Sequence, residues 1–288
     1  MRILFLFIDG FGIGPDDSKV NPIVAADTPT FDWLFKGGDS IVIPTDASQG
    51  VKGIPQSATG QTALLTGVQA SQIIGRHVNG FPGPTLRKII AEKNILKQMK
   101  AREKKATFAN AYTEDYVKGI HAGKIKGSVT TVSVLTSNLP FRLTDQIPKG
   151  KAVYQDFTNR LLIKQGLNLP LMKPEEAGQN LARIVKEHDF TLYEYFLTDI
   201  AGHRQDMEFA VSLLEELDRF IGQVLSDLDL TETLVVLSSD HGNIEDLSIK
   251  THTCNPVPTI LIGCGKDKIG NKIKELVDIT PALLSLMD

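Results

Sequence analysis

The sequence predicts an α/β fold in which residues 1–288 form a single domain, with a central, mostly parallel sheet sandwiched by helices. Three observations lead there. Short apolar runs recur along the chain, segments of helical period separate them, and several of the runs end on aspartate. Alternating strands and helices put helices on both faces of a parallel sheet, and strands buried on both faces read as continuous apolar runs.

Six runs have the strand signature: 3–9 (ILFLFID), 40–46 (SIVIPTD), 106–112 (ATFANAY), 192–199 (LYEYFLTD), 233–240 (TLVVLSSD) and 259–265 (TILIGCG). The first run is too short for a secretory leader and stops at Asp9 without a small-residue cleavage site, so it reads as a strand. The clearest helix is 206–229, where Phe209, Leu213, Leu217, Phe220, Ile221 and Val224 form one stripe and Asp206 is placed to cap the start. A second, 173–188, has acidic residues in its first turn and basic ones in its last, as the helix dipole favours. Residues 117–172 are rich in Gly, Pro and Lys and poorly periodic; they are expected to form a small cap inserted into the domain. No repeat or low-complexity tract interrupts the pattern.

Charge excludes several classes of partner. With 31 basic against 34 acidic residues and a net charge of −3, the chain has no field that would favour nucleic acid or an anionic membrane. No stretch approaches the roughly 18 apolar residues of a membrane span. Cys254 and Cys264 make no disulfide framework, which fits a reducing cytoplasm, and both are expected to be small buried residues. A small-molecule partner follows, while the sequence sets no oligomeric state.

In open parallel sheets, ligands bind beyond the carboxyl ends of the strands, so residues at those ends converge from distant parts of the chain. Asp9 ends the first run, Asp199 ends the 192–199 run, and Asp240 with His241 ends the 233–240 run. His203 follows Asp199 by four residues, a spacing that aims both side chains at one point on a helix. His252 lies just before the last run. Taken singly, each has a plainer reading as a turn former or loop histidine. Jointly the pattern is selective, because these three histidines sit beside strand ends and His77, His121 and His188 do not. Asp and His side chains together suit zinc, manganese or a similar divalent ion. Gly242 is expected to let the chain turn so that Asp240 and His241 share a ligand.

A nucleophile is sought in 55-PQSATGQTALLTG-67. Ser57 precedes a stretch able to start a helix, where free N–H groups attract phosphate oxygens, although an ordinary N-cap would look the same. Thr59 and Thr62 are rival hydroxyls. Arg76, His77 and Asn79 in the following Gly/Pro-rich loop are candidate substrate-binding residues. A dinucleotide loop at 9-DGFGIG-14 fails, because G-x-G-x-x-G would require glycine where Pro15 stands.

The segments 8-IDGFGIG-14, 28-TPTFDWL-34, the loop around Ser57, 198-TDIAGH-203, 239-SDHGN-243 and 252-HTCNPVP-258 occur in the order found in the alkaline phosphatase superfamily. They resemble most closely the metal-binding core of its branch containing cofactor-independent phosphoglycerate mutase and phosphopentomutase. The resemblance implies two divalent metal ions, zinc or manganese, held by Asp9, Ser57, Asp240 and His241 on one side and by Asp199, His203 and His252 on the other. It implies that Ser57 is transiently phosphorylated and that the partner is a small phosphorylated metabolite. Two departures matter. Mutases of this branch carry a large domain inserted after the nucleophile loop, and the short span between Arg76 and Ala106 has no room for it. A family lysine near the nucleophile is matched by Asp115 in 109-ANAYTEDY-116. The expected function is therefore a two-metal phosphohydrolase or phosphotransferase, with a phosphomutase or a non-catalytic metal-binding relative as the alternatives.

Overall fold

Strand β1, Arg2–Ile8, runs through the middle of a six-stranded sheet in the computed structural model, which describes residues 1–288. The other members are β2 (Ser40–Thr45), β3 (Ala106–Phe108), β6 (Phe190–Tyr195), β7 (Thr233–Ser238) and β8 (Val257–Gly263). Their spatial order is β2-β8-β7-β1-β6-β3. Strands β3, β6, β1 and β7 pair in parallel, whereas β8 runs antiparallel to both β7 and β2. That single reversal matters for the site: the residues preceding β8 arrive at the edge where the parallel strands end. Strands β4 (Ala111–Tyr112) and β5 (Arg142–Leu143) form a separate two-stranded sheet.

Ten α-helices have seven residues or more: α1 (Pro29–Phe35), α2 (Ser57–Thr66), α3 (Pro84–Lys93), α4 (Ile95–Ala101), α5 (Glu114–His121), α6 (Val129–Thr136), α7 (Pro174–Lys186), α8 (Leu197–Arg204), α9 (Met207–Asp227) and α10 (Leu276–Leu284). Strand period 2 divides the core between them. Ile3, Phe5 and Phe7 of β1 face the layer containing α2, α3, α4, α6 and α10. Leu4, Leu6 and Ile8 face α1, α7 and α9. Each of these six side chains is at most 2% exposed, and full burial of one such side chain is worth about 1.5–3 kcal/mol.

The two helices predicted most clearly lie where their spacing places them. Asp206 caps α9 by accepting from the Phe209 amide at 3.1 Å. Glu176 folds back to the Lys173 amide at the start of α7, at 3.0 Å. Asp218, buried on α9, accepts from the Thr30 and Phe31 amides and so pins the start of α1. Without that carboxylate the first amides of α1 would be left unpaired.

Four expectations need correction. The run 106–112 is not one strand: it leaves the main sheet after Phe108, where the Asn110 side chain pairs with both backbone groups of Glu194 in place of a strand. The run 192–199 ends as a strand at Tyr195, so Asp199 stands in the first turn of α8 instead of at a strand end. Gly242 is required for space, since an added Cβ would strike Glu245 and Thr253, and its φ is not in the left-handed region. Cys254 is exposed and Cys264 half-buried, so neither belongs to the core.

Within 117–172, α6 is a core element, with Val129, Val132 and Val134 buried against the sheet. The later part forms a lateral lobe around Ala111, Ile147, Ala152 and Leu162. It docks on α9 through Phe157, stacked on Phe220 at 4.5 Å, and through Arg160, which holds Glu216 with both terminal nitrogens. No helix of the structure is long and apolar enough to cross a membrane.

Candidate metal centre

Beyond the carboxyl ends of β1 and β7, three elements bring four donor atoms together. Asp9 follows β1, Asp240 and His241 follow β7, and Ser57 is the first residue of α2. The His241 Nε2 atom lies 3.4 Å from Asp9 Oδ1, 3.4 Å from Asp240 Oδ2 and 3.1 Å from Ser57 Oγ. A second group forms around α8. Asp199 and His203 share one helical face, with Oδ2 and Nε2 3.5 Å apart. His252, arriving on the approach to reversed β8, places its Nε2 3.3 Å from Asp199 Oδ1 and 3.2 Å from His203 Nε2. The His241 and His252 rings stack at 3.7 Å and join the two groups into one centre. The structure thus gathers Asp9, Ser57, Asp199, His203, Asp240, His241 and His252 in one place.

The surroundings hold these side chains in fixed poses. Gln61 of α2 donates to Asp9 Oδ2 at 3.1 Å. The Phe11 amide donates to Ser239 Oγ, which in turn donates to the His241 carbonyl, setting the turn after β7. Asn243 donates to Asp199 Oδ1 at 2.7 Å. His252 Nδ1 meets the Pro55 carbonyl at 3.0 Å and His203 Nδ1 meets the Lys250 carbonyl at 3.1 Å. A carbonyl only accepts, so both Nδ1 atoms carry a proton, and this orients both Nε2 atoms into the centre.

Two ring nitrogens 3.2 Å apart meet through a proton or a metal ion held between them. The other group has the same need, for Asp9 Oδ1 and Asp240 Oδ2 are buried with no hydrogen-bond partner. Burial, then the neighbouring Asp240 and Asp199 charges, push the Asp9 carboxyl well above its ordinary range. Burial and Asp199 raise Asp240 to about 7. Burial and the neighbouring His252 lower His241 to about 3, which leaves its imidazole neutral, as a metal ligand must be. At Asp199 burial acts upward, yet His252, His241 and Asn243 together outweigh it and bring the group down to about 2.

Spacing completes the fit. Zinc with nitrogen and oxygen ligands at about 2.0–2.1 Å has tetrahedral ligand–ligand edges of about 3.3–3.4 Å. The donor separations of 3.1 to 3.5 Å bracket that edge in both groups. Asp9, Asp240 and His241 form one set able to hold a cation, and Asp199, His241 and His252 form another. The donors present therefore fit divalent cations.

Thr59 and Thr62, the rival hydroxyls, are engaged in structure: Thr59 donates to the Gln56 carbonyl and Thr62 to the Ala58 carbonyl. Ser57 alone of the three meets His241. As first residues of α2, Ser57 and Ala58 have amides that no preceding turn accepts, a setting suited to an anion. Gly60 lets α2 approach closely, since an added Cβ would sit 2.7 Å from the Asp240 carbonyl oxygen. Arg76, His77 and Asn79 line a cavity of about 700 Å³ beside Gln56, together with Lys52. Both ring nitrogens of His77 are taken, one by Ser71 Oγ and one by the Val51 carbonyl. Arg76 and Asn79 are exposed.

Sequence reading missed Glu245, which is 1% exposed. It accepts from the Gly12 amide at 2.9 Å, the Asn243 amide at 2.7 Å, the Asn255 side chain at 3.1 Å and the Thr253 hydroxyl. One carboxylate thereby ties together the loop after β1, the turn after β7 and the approach to β8. A glutamate a few residues past Asp240 carries no periodic signal, so only the meeting of three loops exposes it.

Paired Asp and His donor sets beyond the carboxyl edge of such a sheet define an alkaline phosphatase-like α/β protein of a metal-binding class. The chain belongs to the metalloenzyme superfamily, whose family model matches residues 1–288. The 2,3-bisphosphoglycerate-independent phosphoglycerate mutase of Agrobacterium fabrum is 32% identical over 129 residues, covering 41% of this chain and 25% of the mutase. The matched part of this chain thus spans a quarter of that relative's length. Among solved structures, a protein of Pyrococcus horikoshii aligns over 99% of this chain and 96% of its own, with a TM-score of 0.64 and 16% identity. The alkaline phosphatase of the Antarctic bacterium TAB5 aligns over 99% and 98%, with a TM-score of 0.57 and 14% identity. These likenesses show a shared fold.

Proposed function

We propose that the protein is a two-metal phosphohydrolase or phosphotransferase acting on a small phosphate ester, with Ser57 as the group that accepts the phosphoryl. The observation that carries this reading is the meeting of Ser57 Oγ with His241 Nε2 at 3.1 Å, within reach of Asp9 and Asp240. Asp9, Ser57, Asp240 and His241 would hold one ion and Asp199, His203 and His252 the other. Such ions, zinc or manganese, would supply charge that neutralises phosphate oxygens and eases loss of the hydroxyl proton. The chain supplies positioning and electrostatics, which is most of what phosphoryl transfer requires. The first turn of α2 directs its amides toward a phosphate beside Ser57, and Arg76 and Asn79 are free to meet the rest of the anion. Gln61 and Asn243 hold the Asp9 and Asp199 carboxylates and Glu245 ties the surrounding loops, so that little reorganisation accompanies the reaction.

Phosphomutase activity is the second reading, favoured by similarity to the curated mutases. Transfer to water is preferred because only α3 and α4 lie between the Arg76 loop and β3, where mutases of the resembling branch carry their inserted domain. The deciding experiment is metal analysis of the purified protein with p-nitrophenyl phosphate turnover and phosphoenzyme trapping, for wild type and Ser57→Ala. We expect two equivalents of metal in both proteins and covalent labelling in wild type alone. Full turnover by Ser57→Ala would remove the serine from the mechanism, and isomer without free phosphate from a phosphorylated metabolite would select the mutase.

A further inference from the structure

A cavity of about 410 Å³ opens between β6, α5 and the lateral lobe. Six aromatic side chains line it: Phe81, Phe108, Tyr112, Tyr116, Tyr154 and Phe196. Tyr112 and Tyr116 stack at 5.2 Å and 8°, and both hydroxyls are tied to Thr131 Oγ1, so the wall here is held in place and largely carbon. The other polar groups of the wall are largely engaged. Asn110 is bound to the Glu194 backbone, Thr113 caps α5, Ser128 caps α6, and Gln155 donates to Tyr154.

Gln165, exposed at the mouth, makes no side-chain hydrogen bond, and one buried group also remains open. Glu194, 9% exposed, accepts a single hydrogen bond, from Thr130 to Oε2 at 2.6 Å. Its Oε1 has no protein donor, and it is not among the polar atoms sealed away from space, so the cavity is what it faces. No cation of the protein acts on this carboxyl, and burial raises it to about 7. Lys126, exposed at the rim, is the single basic residue of the wall and makes no ion pair with it.

A buried carboxylate without a counter-ion costs several kcal/mol, and a positive ligand would remove that cost. Aromatic faces within about 6 Å of a cation attract it further. A neutral hydroxyl would satisfy the free oxygen but leave the charge uncompensated and gain no cation–π attraction. We propose that this cavity recognises an organic ammonium group and, resting on the phosphoester reading above, that the substrate is a phosphate ester of an amino alcohol. The placement suits this. Phe196 directly precedes the helix bearing Asp199 and His203, Phe81 shares a loop with Arg76 and Asn79, and the Glu194 charge is felt at Asp9.

Calorimetric titration of the full chain at pH 8 with choline, and with its neutral isostere 3,3-dimethyl-1-butanol, tests the proposal without any phosphate ester. We expect choline to bind at least 10-fold more tightly than the isostere, and Glu194→Gln to abolish that preference while melting as a folded protein. Should Glu194→Gln not fold, Tyr116→Leu serves instead, with choline binding weakened more than isostere binding. Equal binding of the two probes, no choline binding by wild type, or an undiminished preference in the variant would overturn it. Choline binding without p-nitrophenyl phosphate turnover would sink the reaction proposed above and leave the ammonium site standing.

Discussion

His203 and His252 face each other through Nε2 atoms 3.2 Å apart, while each gives its Nδ1 proton to a backbone carbonyl, Lys250 for one and Pro55 for the other. The backbone thereby fixes both ring orientations and leaves the two Nε2 atoms to share a positive charge, a proton or a metal ion.

Removing either imidazole has a defined result. His252→Ala is expected to lower bound metal from two equivalents to one and to cut phosphoester turnover more than about 100-fold, beyond the usual cost of losing a supporting partner. His203→Ala should do the same. Elemental analysis of the purified variants reads the metal, and two retained equivalents would show that these histidines are not ligands.

Glu245→Gln tests the tie between the three loops. The amide would present two donors where four protein donors now point at a carboxylate, leaving buried groups unpaired. A loss of about 2–4 kcal/mol in stability follows, with metal affinity down about 10- to 100-fold. Denaturant unfolding and metal titration measure both, and an unchanged affinity would confine Glu245 to a purely structural role.

Gly60→Ala sets two effects against each other. Within a helix the change should gain about 0.5–1 kcal/mol, yet the new Cβ would lie 2.7 Å from the Asp240 carbonyl oxygen and force α2 away from β7. Overpacking costs about 1–3 kcal/mol, so the contact wins. The variant should melt below wild type and bind metal more weakly through the displaced Ser57. A rise in melting temperature would mean that the two backbones can separate freely.

Glu194 makes stability depend on pH. Its carboxyl is raised from 4.5 to about 7 in the folded protein, chiefly by burial, so between those values the folded state holds a proton that the unfolded state has lost. Its contribution to stability is therefore fully present below pH 4.5 and lost as pH rises through 7. Glu194→Gln should remove this dependence, gaining up to about 3 kcal/mol relative to wild type at pH 8 compared with pH 4.5. Urea unfolding at several pH values, in chelator, reads the difference. A gain that is flat across this range would show that Glu194 titrates normally.

Much of this was legible in the sequence, because burial imposes local patterns. Apolar runs marked β1, β6 and β7, the stripe from Phe209 to Val224 marked α9, and the Asp199-x-x-x-His203 spacing carried its helical geometry with it. Ordered motifs also pointed to the family and to the side chains that meet in the centre. The tertiary structure decided what periodicity does not encode, namely strand direction and the meeting of loops. His252 joins the centre because β8 is reversed, so the start of that strand lies where its neighbours end. Asp199 works from a helix instead of a strand end, and 106–112 divides because Asn110 replaces strand pairing with its own amide. Glu245 and Glu194 had no signature at all, since a buried carboxylate is identified by the donors that surround it or fail to, and those come from residues far away in the chain.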